Sequence, residues 1–232
     1  EYVEQRKGMT SEDLLSNDWC IASFCGLSFY ITDDVMTPKP SSEVLVQTTT
    51  DYLLNTEADF SILDLGIGSG CLLLSALINA RHNGRGIGVD ISADALKIAK
   101  INIDSYDLSD RIELFQGDFG DLSFLGNSHT NFDVILCNPP YLTENECKKD
   151  RPLGPRVALV AENRGLACYE SISRQVGSFL KPDGVVILEV GGKRKVEEIC
   201  AIFRDFDHVE TRPDGQRNGR CLVLRKSITR HV

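Results

Sequence analysis

Residues 132–141 constrain the fold of this chain more than any other stretch. Phe132-Asp133-Val134-Ile135-Leu136-Cys137 is an apolar run of strand length, and Pro139 and Pro140 follow it after a single Asn. Neither proline offers an N–H to a sheet ladder, so the predicted strand ends there. Its carboxyl end then carries an amide (Asn138), a rigid Pro139-Pro140 turn and an aromatic ring (Tyr141). In open α/β sheets that edge is where ligands bind. An amide, a fixed carbonyl and a flat ring suit a planar nitrogen that both donates hydrogen bonds and stacks. Taken alone, the tetrapeptide also fits a tight turn with a buried tyrosine.

The surrounding pattern supplies the sheet. Predicted strands Ser61–Leu65, Gly86–Asp90, Arg111–Phe115, Phe132–Cys137 and Val185–Val190 alternate with helical segments. Those helices are Cys71–Ala80, one capped by Ser92, Gly165–Leu180 and Lys193–Phe203. Lys181-Pro182-Asp183-Gly184 reads as the turn into the fifth strand. Two short strands, His208–Thr211 and Cys221–Arg225, flank Pro213-Asp214-Gly215 and are expected to pair antiparallel. The expected fold is α/β, a doubly wound, mainly parallel, seven-stranded Rossmann-like sheet. Residues 1–55 form a separate N-terminal extension and residues 56–232 the main domain. The extension is predicted to hold a short helix over Ser11–Trp19 and a hairpin strand, Leu27–Ile31. It ends in a lid helix, Val44–Leu54, capped by Ser41 or Ser42.

Composition narrows the class. A 232-residue chain that is 42% hydrophobic can bury one large core. A net charge of -9 counts against a phosphate backbone as main partner, although Lys148, Lys149, Arg151 and Arg156 make a local basic patch. Eight cysteines without a C-x-x-C pair, and four histidines, predict no zinc site. Unpaired thiols imply a reducing compartment, either cytoplasm or an organellar, mitochondrion-like matrix. No run approaches the roughly 18 apolar residues of a membrane span, and the start shows no signal-peptide pattern. The expectation is a monomer without a membrane partner.

Asp64-Leu65-Gly66-Ile67-Gly68-Ser69-Gly70 joins the first of these strands to its helix. Glycines let the backbone turn sharply against a ligand, and the following helix offers free N–H groups. Asp90 ends the next strand, 24 residues after Gly66, where a carboxylate can take both hydroxyls of a ribose. Asp118 and Phe119 follow the third strand. They suit an adenine ring, the acid accepting from the exocyclic amine and Phe119 packing beside the ring. Singly, each acid is as readily a turn carboxylate; at successive strand ends, with Asn138 at the fourth, they point to one nucleoside site. The loop lacks the third glycine of a dinucleotide fingerprint, since Cys71 stands there, and the G-K-[ST] of a P-loop.

These residues resemble the class I S-adenosylmethionine methyltransferases, and more narrowly the HemK/PrmC family of protein-glutamine N5-methyltransferases. The likeness runs from about Gly26 to Arg225. Thr37-Pro38-Lys39-Pro40-Ser41-Ser42-Glu43 resembles the family's I-P-R-P-x-T-E segment. Gly154-Pro155-Arg156-Val157-Ala158-Leu159, with Gly165-Leu166 and Tyr169, resembles its E-P-x-x-A-L…G-L…Y pattern, Gly154 standing for the usual acid. Asp214-Gly215 with Arg220 resembles its D-x-x-G…R segment. Most of the family's N-terminal helical domain has no counterpart here.

The resemblance implies S-adenosyl-L-methionine as cofactor, held by Asp64, Gly66, Gly68, Gly70, Asp90, Ile91, Asp118, Phe119 and Asn138. It implies Asn138, Pro139, Pro140 and Tyr141 as the catalytic set, and Pro38, Pro40, Glu43, Asn138 and Tyr141 as the acceptor site. The implied partner is a peptide-chain release factor, methylated on the Gln of its Gly-Gly-Gln motif. Asn138 and the Pro139 carbonyl would accept the two amide hydrogens while Tyr141 packs on the amide. No metal is needed. The rivals are an amino-methyltransferase of nucleic acid (adenine N6 or guanine N2), which the acidic charge disfavours, and a non-catalytic nucleotide-binding module.

Overall fold

The computed structural model describes residues 19–54, 59–126, 129–150 and 152–227. The helix predicted over 11–19 therefore falls outside them except for Trp19, as does Arg151 of the basic patch. Strands β1 (Cys20–Phe24) and β2 (Leu27–Ile31) form an antiparallel hairpin with Phe24 opposite Leu27. Its two-residue turn needs positive φ at both positions, and Cys25 (φ 50°) and Gly26 (φ 76°) supply it. Helix α1 (Glu43–Leu53) follows. The alternating part comprises β3 (Phe60–Leu65), α2 (Cys71–Asn79), β4 (Gly84–Asp90), α3 (Ala93–Ser105), β5 (Ile112–Gln116) and β6 (Phe132–Cys137). It continues through α4 (Glu144–Asp150), α5 (Ala167–Gln175), β7 (Leu180–Glu189) and α6 (Lys193–Ile202), and closes with β8 (Phe206–Pro213) and β9 (Gly219–Lys226).

Seven strands make one sheet in the order β5-β4-β3-β6-β7-β9-β8. The first five are parallel, and β9 pairs antiparallel with both β7 and β8. Successive side chains on a strand face opposite ways, and the core divides accordingly. Ile62, Val134, Leu136, Val185 and Ile187 join one cluster with Leu73, Leu74 and Ile103 of α2 and α3. Leu63, Leu65, Ile135, Cys137, Val186 and Leu188 join the other with Tyr169, Ile172 and Ile199 of α5 and α6. Burial on both faces is why these strands read as continuous apolar runs.

The order of strands reverses between β3 and β6, which makes that crevice the switch point. Leu65 lies opposite Val89 on one side and Cys137 on the other, and Asp90 lies opposite Gln116. Gly66, Asp90 and Asn138 thus leave the sheet side by side. The hairpin is tied to this edge through the buried Asn102. Its amide accepts from the Tyr30 N–H (2.8 Å) and donates to the carbonyls of Tyr30 (2.9 Å) and Ser69 (2.8 Å).

Three local expectations change. Lys181–Gly184 lies inside β7: Leu180 pairs with Phe132 and Val185 with Val134, so the four residues bulge from the strand. The Lys181 ammonium is drawn onto Asp133 (2.7 Å) at that bulge. The helix expected over 165–180 is shorter, because Asn163, Arg164 and Gly165 all have positive φ and a sheet strand already begins at Leu180. Ser42 does not cap α1. It closes a 3-10 turn, Pro40–Ser42, with helical backbone angles (φ −87°, ψ −9°) and makes no cap hydrogen bond. Ser92, by contrast, is extended and accepts from the Ala95 N–H (3.2 Å), as the sequence predicts. Among the described residues, no helix is long and apolar enough to cross a membrane.

Leu73 is fully buried between α2 and the sheet. Leu73→Ala should lower the unfolding free energy by about 2–5 kcal/mol, read as a lower urea midpoint at unchanged slope. An unmoved midpoint would contradict this packing.

Candidate functional site

The glycine loop after β3 turns through three left-handed residues, Gly66 (φ 78°), Gly68 (φ 54°) and Gly70 (φ 81°), before α2 begins. A side chain at Gly68 would meet nothing within 4 Å, so that backbone faces open space. Asp90 braces the loop: its Oδ2 accepts the Gly68 N–H (2.9 Å) and its Oδ1 the Ser92 N–H (3.0 Å). Each oxygen keeps a lone pair for a further donor. Phe119 lies over the loop, 3.9 Å from where a Gly66 Cβ would be.

Beneath this loop, Asp64 is fully buried, and neither carboxylate oxygen has a hydrogen-bond partner. Burial, and secondarily the Asp90 carboxylate, push its pKa up to about 8. Burial also raises Asp90, against the pull of the Ser92 and Gly68 amides.

An open cleft of about 860 Å³, counting space open to solvent, runs along these strand ends. Of the predicted site residues, Pro38, Gly66, Gly68, Asp90, Ile91, Phe119, Asn138 and Pro140 line it. Met36, Lys39, Ser42, Pro155, Val157 and Ala158 join them, bringing the segments before α1 and after α4 to the same cleft. Asp64, Gly70 and Pro139 are buried behind the lining. Asp118 is exposed outside it and accepts the Gly120 N–H (2.7 Å). Pro40 is exposed, and the Glu43 carboxylate accepts the Cys25 N–H (2.9 Å), anchoring the hairpin. Arg156 of the expected basic patch is ion-paired with Glu144.

Tyr141 lies outside the lining and is clamped from several sides. Its hydroxyl donates to Glu189 Oε1 (3.0 Å), and the Lys195 ammonium donates to its carbonyl (2.7 Å). Gly165 has φ 80°, and a Cβ there would sit 2.1 Å from that carbonyl, so only glycine fits. Leu142, the next residue, bridges Val160: its N–H donates to Leu159 and its carbonyl accepts from Ala161. The 155–161 segment is therefore stitched to the chain leaving β6. Burial raises Tyr141 well above an ordinary phenol, with the Glu189 charge adding to it.

Glu189 itself escaped the sequence reading. It ends β7 and is 1% exposed. The available signal was a lone acid inside the otherwise apolar run Val185–Val190.

The cleft fits S-adenosylmethionine on the chemistry of its donors and acceptors. Asp90 offers acceptors for a diol, Phe119 an apolar face, and the glycine loop a surface without side chains. Among the described residues no group of three or more His, Cys, Asp or Glu side chains could hold a metal ion.

The fold is that of a class I methyltransferase. A methyltransferase from Pyrococcus furiosus superposes with a TM-score of 0.66 at 17% identity, over 88% of this chain and 90% of that one. A family model described as a methyltransferase domain matches residues 56–213. A release factor glutamine methyltransferase of Chlorobaculum tepidum is 31% identical over 209 residues, 87% of this chain and 70% of that protein. A bifunctional methyltransferase of Rickettsia typhi is 31% identical over 230 residues, 88% of this chain but 43% of that protein. The chain thus spans less than half of the second relative's length. It belongs to the methyltransferase domain family and, within it, to the family of the release factor glutamine methyltransferases.

Two predictions follow from the carboxylates. Asp64 titrates near its ordinary 3.8 when unfolded and at about 8 when folded. The folded state therefore binds more protons in between, and stability falls as pH rises through that window. Asp64→Asn should flatten this fall in urea titrations between about pH 4 and 8; an equally steep fall would contradict the assignment. Asp90→Ala should weaken binding of S-adenosylhomocysteine by on the order of 1.5–3 kcal/mol while the protein stays folded. Calorimetry showing unchanged affinity would remove Asp90 from the site.

Proposed function

We propose that this chain transfers the methyl group of S-adenosylmethionine to the side-chain amide nitrogen of glutamine in the Gly-Gly-Gln motif of peptide-chain release factors. The observation that carries this reading is the position of Asn138. It leaves β6 directly beside Gly66, the residue after β3, and lines the same cleft as Asp90. An amide side chain therefore stands next to the glycine loop and the Asp90 carboxylate. The 31% identity to a protein named as a release factor glutamine methyltransferase supports the same acceptor.

S-adenosylmethionine, when bound, supplies an electrophilic methyl on a cationic sulfur. Gly66, Gly68, Asp90, Ile91 and Phe119 hold it, with Asp64 and Gly70 shaping the loop and Asp118 and Asn138 at its borders. The task of the remaining residues is to make a poor nucleophile competent, because the glutamine nitrogen's lone pair is delocalised into its carbonyl. Asn138 Oδ1 accepts one amide hydrogen, and the Pro139 carbonyl, held by Pro140, accepts the other. Fixing both hydrogens aims the lone pair at the donor. As the nitrogen gains the methyl it gives up one proton, which passes to water. The rate gain comes from orientation and electrostatics. Tyr141, Pro38, Pro40 and Glu43 fix the walls of the acceptor site.

A glycine-flanked loop is narrow enough to enter this cleft extended. Exposed Val157 and Leu153 stand ready to meet the folded factor around it. All eight cysteines are unpaired, which supports a reducing compartment, cytoplasm or organellar matrix. We take the protein to act as a monomer.

The test is incubation with labelled methyl donor and, in parallel, purified release factor, its Gln→Ala variant, and DNA and RNA pools. Label on the intact factor alone is the expected result. Label on nucleic acid, or equally on the Gln→Ala factor, would overturn the proposal. Asn138→Ala should abolish turnover while calorimetry finds cofactor affinity largely kept; near-normal turnover would make Asn138 structural.

A further inference from the structure

One buried carboxylate lies where several otherwise separate segments meet. Glu189 Oε2 accepts the Ser42 hydroxyl (2.5 Å), from the segment before α1. Its Oε1 accepts the Tyr141 hydroxyl (3.0 Å), from the turn after β6. Its own carbonyl accepts the Tyr169 hydroxyl (2.7 Å), from α5. Arg220 of β9 lies close by, its Nη1 3.5 Å from the Tyr141 oxygen and 3.4 Å from the Val190 carbonyl. Arg220 is oriented in turn by Asp214, 3.3 Å from its Nε, and Asp214 accepts the Gln216 and Asn218 amides (2.9 Å each). Ser42 and Asn138 both line the cleft, and Tyr141 is three residues beyond Asn138.

From this convergence we infer that Glu189 is a positioning residue that sets the spacing between the two walls of the acceptor cleft. It touches neither donor nor acceptor. Each of its two carboxylate oxygens binds one wall through a hydroxyl, so the walls cannot shift independently while both bonds stand. A buried charge is costly unless paired and hydrogen-bonded, which makes this arrangement poor as simple packing and well suited to fixing one geometry. The inference rests on the proposed reaction for its kinetic consequence, but not for its structural one.

The experiment compares wild type, Glu189→Gln and Ser42→Ala by amide hydrogen exchange, S-adenosylhomocysteine calorimetry and kinetics with purified release factor. A glutamine keeps one acceptor oxygen and replaces the other with a donor, so one hydroxyl must be released or turned. Expected for Glu189→Gln is faster exchange in both residues 39–43 and residues 141–142, with unchanged exchange at 66–70 and unchanged S-adenosylhomocysteine affinity. The kcat should fall by roughly 10- to 100-fold, as misplacement of a reacting group by about an ångström does. Ser42→Ala removes a single hydroxyl and leaves the charge in place, which guards against a variant that does not fold. It should speed exchange across the cleft at 141–142 as well as at 39–43. Exchange that rises only beside the substituted residue, or normal kcat and KM in Glu189→Gln, would overturn the role. A wild type that leaves the factor unmethylated while Glu189→Gln still loosens both walls would refute the proposed function and leave the positioning role standing.

Discussion

Everything at the cleft depends on the parallel register that sets Leu65 between Val89 and Cys137. Parallel strands all end at the same edge, so this one alignment brings the residues after three strands into a row. A one-residue slip of β6 would turn Ile135 and Cys137 to the wrong face and carry Asn138 away from Gly66. The register is held by burial on both faces: Ile62, Leu63, Ile135 and Leu136 are all at 0% exposure. At roughly 25 cal/mol per Å² of apolar surface, such a slip would forfeit far more than the site could recover. The core therefore determines the chemistry by determining where strands stop.

On that frame the protein places two acids deep in apolar surroundings. Asp64 makes no close hydrogen bond, only the Leu73 amide pulling against its burial, and it titrates high, a destabilising feature beneath the glycine loop. Glu189 is likewise raised by burial, but two hydroxyls and the Arg220 charge favour its ionised form. One acid underlies the donor side of the cleft, and the other links the walls of the acceptor side. Local inconsistency of this kind, a polar group where packing would prefer a hydrocarbon, is concentrated where function requires it.

Much of this was legible in the sequence, for identifiable reasons. Strands buried on both faces write themselves as apolar runs, so Phe132–Cys137 was bounded to the residue. Ser92 announced its cap because a serine directly before an apolar-faced helix can accept from the unpaired N–H groups of the first turn. The errors arose where tertiary contacts overrode local chemistry. Ser42 has the composition of a cap, but it closes a 3-10 turn that begins at Pro40, and Glu189 takes its hydroxyl. Lys181-Pro182-Asp183-Gly184 has turn composition, yet the pairing of β7 with β6 resumes across it as a bulge. Glu189 is not legible in the sequence because its partners come from positions 42, 141 and 220, separations no local pattern encodes. Gly165, Tyr169, Asp214 and Arg220 could be singled out by resemblance alone; their physical reason, support of Tyr141 and Glu189, is visible only in three dimensions.

The central claim is that a glutamine amide sits on Asn138 beside the donor pocket. A crystal structure of this chain with S-adenosylhomocysteine and the release factor tests it most directly. The account predicts the Gln side-chain nitrogen within hydrogen-bond distance of both Asn138 Oδ1 and the Pro139 carbonyl. It also predicts the product nucleoside's ribose hydroxyls on Asp90. A Gln amide bound elsewhere, with Asn138 making no contact to it, would contradict the account.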